Sequence, residues 1–502
     1  MKKQSLLAVC ALTACSVFGH ADAWVPSGAK GLAMGGAQVA FPEGSQAVNV
    51  NPAALAKPER FDIALPITVT LGSEGSAIES LTSLEDTWKT SVEPSLDALE
   101  TANGNKADQI TAVSNFITKT AKNALDKPGQ GIRANINGAL TARWGRFGIS
   151  AGTRAIAGAT IKYDSSFKFS ATNGGFIDDA AADDIRNDAI AAAPSSDATE
   201  IATAASTGNS SDLSANEIEY YVAQVKASNG TTSLTTDEKN LLTSLAQVTN
   251  QALDPTTTTT KGSSTKLENG TGLDIRGVQI SEVSLAYGWS FMENKLHVAP
   301  SLKIMKGETY TSSITLTDSS DDNEDIGDKL DDDKNTKSST EFTLDVGLLY
   351  QQSPKLSFGL VIKDLTSPSF DVANGNDIEL ETTARVGAAY EYSQKPGWRG
   401  VVAADLDLIE TESAAVIGAD TQIGAIGLSQ ELAGFLSFRA GLNKNFGGES
   451  DGVVYSAGLG FQFFKFYLDL AAAGSSDEVT VDGDDFPTGG GFGVTLGWNM
   501  NL

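Results

Sequence analysis

From Gly131 to the C-terminus, interrupted by one long insertion, apolar side chains alternate with polar or small ones at a period of two. Phe342, Leu344, Val346, Leu348 and Tyr350 alternate with Thr343, Asp345 and Gly347; Leu436, Phe438, Ala440 and Leu442 alternate with Ser437, Arg439 and Asn443. The last segment is the most regular, setting Phe492, Val494, Leu496, Trp498, Met500 and Leu502 against Gly493, Thr495, Gly497, Asn499 and Asn501. Successive side chains of a strand point to opposite faces, so the pattern specifies sheet rather than helix. The apolar face must then be covered, by a second sheet in a soluble sandwich or by lipid around a closed barrel.

The order of the segments separates these two solutions. About fourteen strands are expected, near 61–71, 132–143, 147–170, 264–290, 296–316, 338–350, 355–365, 379–392, 398–409, 415–425, 435–445, 452–463, 465–473 and 489–502. Even-numbered strands are followed by short connections, at Gly145-Arg146, Met292 to Lys295, Gln351 to Pro354, Ser393 to Gly397 and near Phe464, with a longer one around Ser429. Most of the long excursions, 72–131, 171–263, 317–337, 366–378 and 474–488, follow odd-numbered strands. Short turns on one rim and long loops on the other, with an even strand count returning both ends to one side, are the bacterial outer-membrane arrangement. Trp144, Trp289, Trp398 and Trp498, with Phe147, Phe291, Tyr392, Phe463 and Phe464, all fall beside the short turns or the C-terminus. Amphipathic rings collect at a membrane–water interface, so this distribution reads as an aromatic girdle. The expectation is an all-β transmembrane barrel of antiparallel strands, with helical extracellular insertions.

The insertions have a different period. Ile78, Leu81, Leu84 and Trp88, then Ile110, Val113, Phe116 and Ile117, follow helical spacing, as do Ile218, Tyr221, Val222 and Val225, and Leu241, Leu242, Leu245 and Val248. These stripes should pack on each other or on the barrel mouth. Residues 177–215, rich in Ala, Asp, Ser and Thr, and the run Thr256 to Thr260 read as flexible connections between them.

Residues 1–23 have the form of a signal peptide: Lys2 and Lys3, an apolar stretch from Ser5 to Phe18, and Ala21-Asp22-Ala23 before Trp24. Leu12-Thr13-Ala14-Cys15 offers a competing lipobox cleavage. Cleavage after Ala23 leaves no cysteine, one histidine (His297), and a charge one unit more negative than the full chain's -27. This inventory removes disulfides and Cys/His zinc sets, and leaves a Ser-His-Asp site only His297, which sits in an alternating segment. The acidity argues against direct nucleic-acid binding. No run of 18 apolar residues follows the signal, so a membrane-embedded mature chain must be a barrel. Neither a catalytic residue nor a cofactor is expected.

The segment GAKGLAMGGAQVAFPEGSQAVNVNPAALA, 28–56, contains neither a P-loop nor a dinucleotide fingerprint. Gly31, Gly35 and Gly36 suit close backbone packing and Pro52 a stiffened turn, so 24–60 reads as a plug filling a barrel formed by 61–502. The segment resembles the N-terminal region of FadL-type outer-membrane channels for fatty acids and other hydrophobic compounds. The chain as a whole, through FGLVIKDLTSPSF (358–370), TTARVGAAYEYS (382–393) and VVAADLDL (401–408), is more similar to conjugal-transfer TraF-like outer-membrane proteins. That resemblance implies a hatch containing Asn51, Pro52 and Ala53. Glu43-Gly44-Ser45 departs from the usual Asp-Ala-Ser-like step.

Asp345, Lys363, Arg385, Asp405, Asp407 and Arg439 are expected to form a lumen network that braces this hatch, with Gly35 and Gly36 passing close to the wall and Asn51 bridging the charges. Thr495, Gly497, Met500 and Leu502 resemble a signal for the barrel-insertion machinery, although Leu502 replaces the usual terminal aromatic. The acidic stretch 318–334 alternates Asp321, Asn323 and Asp325 like a calcium loop, but Ile326 stands where glycine is required and no closing Glu follows, so no metal site is assigned. The expected partners are outer-membrane lipids, the insertion machinery and small hydrophobic ligands. Two functions fit: a passive channel for such ligands, or a non-transporting scaffold of a surface or conjugal-transfer apparatus.

Overall fold

The computed structural model describes residues 26–57, 61–101, 105–171, 177–188, 193–254, 256, 265–315, 335–414, 416–447, 452–481 and 484–500. Fourteen strands form the wall: β1 (Phe61–Glu74), β2 (Gly131–Trp144), β3 (Phe147–Lys162), β4 (Gly272–Tyr287), β5 (Leu296–Thr315), β6 (Thr336–Gln351), β7 (Leu356–Lys363), β8 (Thr383–Lys395), β9 (Trp398–Asp407), β10 (Ile423–Leu432), β11 (Leu436–Asn445), β12 (Val453–Phe463), β13 (Phe466–Ser475) and β14 (Gly489–Asn499). Each pairs antiparallel with the next, and β14 returns to β1 in the register Asp62↔Asn499 to Gly72↔Gly489, so the sheet closes. Closure leaves no strand edge among the fourteen.

The period-two pattern sorts the two faces as a lipid-facing barrel requires. On β5 and β6, Leu302 and Phe342 are 63% and 64% exposed, while their neighbours Ser301 and Thr343 are 0% and 4% exposed on the inside. Leu65, Ile67, Ile149, Leu285, Ile426, Leu459 and Leu496 continue the outer apolar band around the wall. Leaving such side chains in water costs roughly 1.5–3 kcal/mol each relative to burial, so the band demands an apolar surrounding. Trp144, Trp289, Trp398, Phe147, Phe291, Tyr392, Phe463 and Phe464 are exposed on the short-turn rim, and Trp498 stacks on Phe466 there. The girdle is real, and the fold is that of an outer-membrane β-barrel.

One strand is displaced from its expected place. Residues 415–425 read as the tenth strand, but β10 begins at Ile423, and Ser429, expected in a connection, pairs with Arg439 inside the sheet. Val416, which mimics a strand residue in sequence, is instead buried with Ile156, Val278 and Phe370. An apolar residue in a loop that folds inward carries the same local signal as one in a strand.

The two largest insertions build one body at the long-loop rim. Leu81, Leu84, Ile110, Val113, Phe116, Ile117, Ile218, Tyr221, Val222, Val225, Leu241, Leu242, Leu245 and Val248 share a core that also takes in Ile161 and Leu273 from β3 and β4. Within 177–215, where flexible chain was expected, Asp179–Asn187 and Ser196–Ala205 are helices, because Asp178 and Ser195 cap them and their alanines favour helix. Asp197 then joins three helices, with Lys226 and Lys239 at 2.8 and 2.9 Å. The residues 316–334 and Thr257 to Thr260 lie outside the described residues, and with them the acidic stretch weighed as a calcium loop.

Loops 364–382 and 408–422 turn into the barrel mouth. Their Phe370, Ile378, Leu380 and Val416 pack on Ile156, Val278, Ile280 and Met305, inward residues of β3, β4 and β5. Gly307 makes room: a Cβ there would lie 2.2 Å from the Phe370 ring.

A plugged lumen as the candidate functional site

Residues 26–57 fill the lumen towards the short-turn rim, and their sequence dictates how they follow the wall. A short helix, Gly28–Ala33, ends in a turn whose Gly35 and Gly36 have φ of +66° and +96°, values that side chains rarely adopt. The chain continues through Gly44–Gln46 and Ala47–Val50 to Pro52–Ala56, where Asn51 is the cap and Pro52 occupies the first turn. Asn51, fully buried, accepts from Ala53 N at 3.1 Å and donates to the carbonyls of Val39 and Leu348, both at 3.0 Å. The amide thus joins one half of the plug to the other and both to β6. It does not bridge the buried charges, contrary to the expectation from sequence, because its donors are taken by backbone oxygens.

The wall is made for backbone contact. A Cβ on Gly347 would lie 2.2 Å from the Asn51 side chain, one on Gly441 2.2 Å from Gly35 N, one on Gly359 2.5 Å from the Val39 carbonyl, and one on Gly427 2.6 Å from Met34. Gly35 itself approaches the Leu442 carbonyl to within 2.6 Å of where its Cβ would be.

Polar side chains of many strands hold the plug. The Asp405 carboxylate accepts from the amides of Gln38 and Val39 at 2.7 and 2.9 Å, and Asp62 from that of Ser45 at 2.5 Å. Ser357 donates to the Ala40 carbonyl at 2.9 Å, Ser456 to Ala33 at 3.1 Å, Lys363 to Asn49 at 2.7 Å and Arg143 to Leu55 at 2.9 Å. His297, which faces inward, lies 3.0 Å from the Ser290 hydroxyl, which itself donates to Ala56.

The six charges expected to form one network fall into three groups. Arg385 grips Asp407 through two bonds of 2.5 and 2.8 Å, beside Asp405, which serves the plug; Arg439 pairs with Asp469 at 2.6 Å; and Asp345, paired with Lys303 at 2.7 Å, lies near Lys363, which contacts Asn49. Across a staggered barrel, neighbours in sequence pattern are not neighbours in space. Sequence reading missed Arg154, Glu282, Lys303, Asp364, Asp62 and Arg143; the inward parity of their strand positions is the signal that points to most of them. Of the proposed assembly residues, Thr495 is buried and accepts from Ala29 N at 2.9 Å, Gly497 lies under the Tyr467 ring, Met500 is exposed, and Leu502 lies outside the described residues.

Glu43 closes the plug's lower surface, 2.5 Å from Lys30 and 2.8 Å from Arg399, with both cations over the Phe41 ring. Burial acts to raise its pKa, but Lys30 and Arg399 outweigh it and hold the carboxyl down to about 2, from an ordinary 4.5. A depressed carboxylate stabilises above its unfolded pKa and loses that contribution as pH falls through the folded value. Glu43→Gln should therefore speed amide exchange in the plug at pH 7, and the difference from the unaltered protein should shrink below about pH 4.5.

Asn51→Ala strands two buried carbonyls and one amide, a loss of about 3 kcal/mol in plug docking. Gly35→Leu should cost more, because neither its φ nor the 2.6 Å approach admits a side chain. Protease cleavage within the plug should accelerate for both, while heat-modifiable gel mobility of the barrel is unchanged; slow cleavage in Gly35→Leu would contradict the contact.

The plug separates two cavities. One of about 140 Å³ lies towards the long-loop rim, between Leu32, Gly36, Glu74, Arg133, Asn135 and Ile423. The other, about 160 Å³, lies towards the short-turn rim, between Lys30, Phe41, Asp62, Arg439, Tyr467 and Asp469.

Solved structures similar to this chain include the CymD monoaromatic hydrocarbon channel, at 11% identity over 96% of this chain and 100% of that one, with a TM-score of 0.45. The toluene transporter TodX of Pseudomonas putida aligns at 9% identity over 95% and 98%, TM-score 0.41, and a Pseudomonas aeruginosa FadL homologue at 11% over 95% and 99%, TM-score 0.42. Comparison with curated protein sequences finds no match. The sequence pattern of one family spans residues 48–407, from the plug's Asn-Pro-Ala to the end of β9, and the chain belongs to that family, described as F plasmid transfer operon, TraF, protein.

Proposed function

We propose that the protein, exported by cleavage after Ala23, is a channel of the Gram-negative outer membrane that rests closed and passes or binds small hydrophobic compounds. The observation that carries this reading is the plug: a segment held to the wall from within, with a cavity on either side. The apolar stretch of lumen wall at Ile156, Val278, Ile280 and Met305, covered by loop side chains, supports apolar solutes over ionic ones. The similar channels carry names of hydrocarbon transport. Thr495, Gly497, Met500 and Leu502 would serve the insertion machinery.

The second reading, a scaffold of a transfer apparatus, draws on the helical body with its own core at the long-loop rim and on the family's description. Proteoliposome uptake of toluene and of a medium-chain fatty acid, with single-channel recording, tests the first. Absence of conductance, uptake and ligand retention would leave the scaffold.

A further inference from the structure

Six charged side chains form one cluster on the inner wall between the plug and the mouth: Arg154, Glu282, Lys303, Asp345, Lys363 and Asp364. Lys303 Nζ lies 2.7 Å from Asp345 and 3.1 Å from Asp364, and Arg154 lies 3.8 Å from both Asp364 and Glu282. Three are cations and three are anions, so removing one charge leaves another unmatched in a poorly solvated place.

Two contacts lead out of this cluster. Lys363 donates to the Asn49 carbonyl of the plug at 2.7 Å. Asp364 is the first residue of the mouth loop 364–382; its amide donates to Asp345 at 3.0 Å, and its carbonyl accepts from the Thr382 hydroxyl at 2.9 Å, which closes the loop's base. Lys363 points inward as the last residue of β7, and a continued strand would send Asp364 outward to the membrane. Its φ of 52° returns the side chain to the lumen, and Ser367 follows at 44°. Such conformations are disfavoured for non-glycine residues and persist only where surrounding contacts hold them.

We propose that this cluster couples the two closures of the barrel, so that release of the plug loosens loop 364–382 and release of the loop loosens the plug. Lys363 and Asp364 are consecutive residues, one bonded to each closure, and both share the field of Lys303 and Asp345. Withdrawing the Asn49 carbonyl takes one acceptor from the Lys363 ammonium beside Lys303, which disturbs the pairing that holds Asp364 in its reversed conformation. The same contacts act in the opposite direction. Only the conductance measurement below depends on the channel reading.

The test uses the full chain in detergent and in bilayers, with single cysteines at Ser27→Cys in the plug and Val372→Cys in the loop, and a water-soluble maleimide. Asp364→Asn should raise the modification rate at residue 27, and Lys363→Met that at residue 372, each by about tenfold or more. Lys168→Gln, which breaks an exposed ion pair with Glu268 and touches neither contact, should leave both rates within about twofold. If each substitution accelerates only the cysteine on its own side, the coupling is wrong. Should Asp364→Asn fail to assemble, Thr382→Val, which removes the hydroxyl bonds to the Asp364 carbonyl and the Ser367 side chain at the loop's base, decides by the same readout. Cross-acceleration without conductance in any variant would remove the channel reading and keep the coupling.

Discussion

Deleting residues 26–55 should turn a nearly silent barrel into a leaky one, raising single-channel conductance and liposome swelling by about tenfold or more. The strands are paired to one another around the whole circle, and no strand takes a backbone neighbour from the plug, so the wall survives the deletion. What goes is the obstruction: the helix Gly28–Ala33, the Gly35-Gly36 turn and the Asn51 junction. A fourteen-stranded barrel is wider than the eight-stranded ones whose side chains alone fill the interior, so side chains alone do not reseal it. The loops 364–382 and 408–422 still narrow the mouth, which makes the leak smaller than that of an open porin. Unchanged permeability and ligand retention would mean that the segment is a brace and not an obstruction.

Truncation after Val494 should abolish outer-membrane assembly. Residues 495–499 of β14 pair on one side with Asp62 to Pro66 and on the other with Phe466 to Asp469, so their loss opens two edges at the rim where β1 begins and β14 ends. Trp498, which packs edge-on against Phe61 and stacks on Phe466, leaves with them. Unpaired backbone groups in a bilayer cost several kcal/mol each, and no water is present there to replace the partners. Leu502→Asp keeps the pairing and tests recognition by the insertion machinery separately. Normal heat-modifiable protein in the outer membrane after truncation would contradict the closing role of β14.

The barrel was legible because its lipid-facing and lumen-facing residues differ in kind at every second position, as Leu302 beside Ser301 illustrates. The tenth strand was not, since Val416 carries strand-like apolarity into a loop that packs inward. Gly35 and Gly36 announce close packing by themselves, but their counterparts Gly441 and Gly347 look like any small residue on a lumen face. Which glycine meets which plug residue depends on the stagger of the closed sheet, and no local pattern encodes it. The same holds for the charges. Arg385 and Asp407 are directly cross-strand in the β8–β9 register, whereas Lys303 and Asp364 meet only because a positive φ turns the chain back.

The plug's bonds to the wall are arranged along its length as well as around the circle. Residues 26–33 engage β1, β12 and β14, residues 38–40 engage β7 and β9, and residues 45–57 return to β1, β2, β3 and β6. One end continues into β1 and is therefore tethered. Extraction as a rigid body would load every bond at once, in shear. A pull applied at residue 26 instead loads them one after another, as tape peels from a surface, and each step has to overcome only about 1–3 kcal/mol. The same set of contacts is thus strong against diffuse pressure from either side and weak against a force applied at a single point, which is the mechanical behaviour of a tear strip.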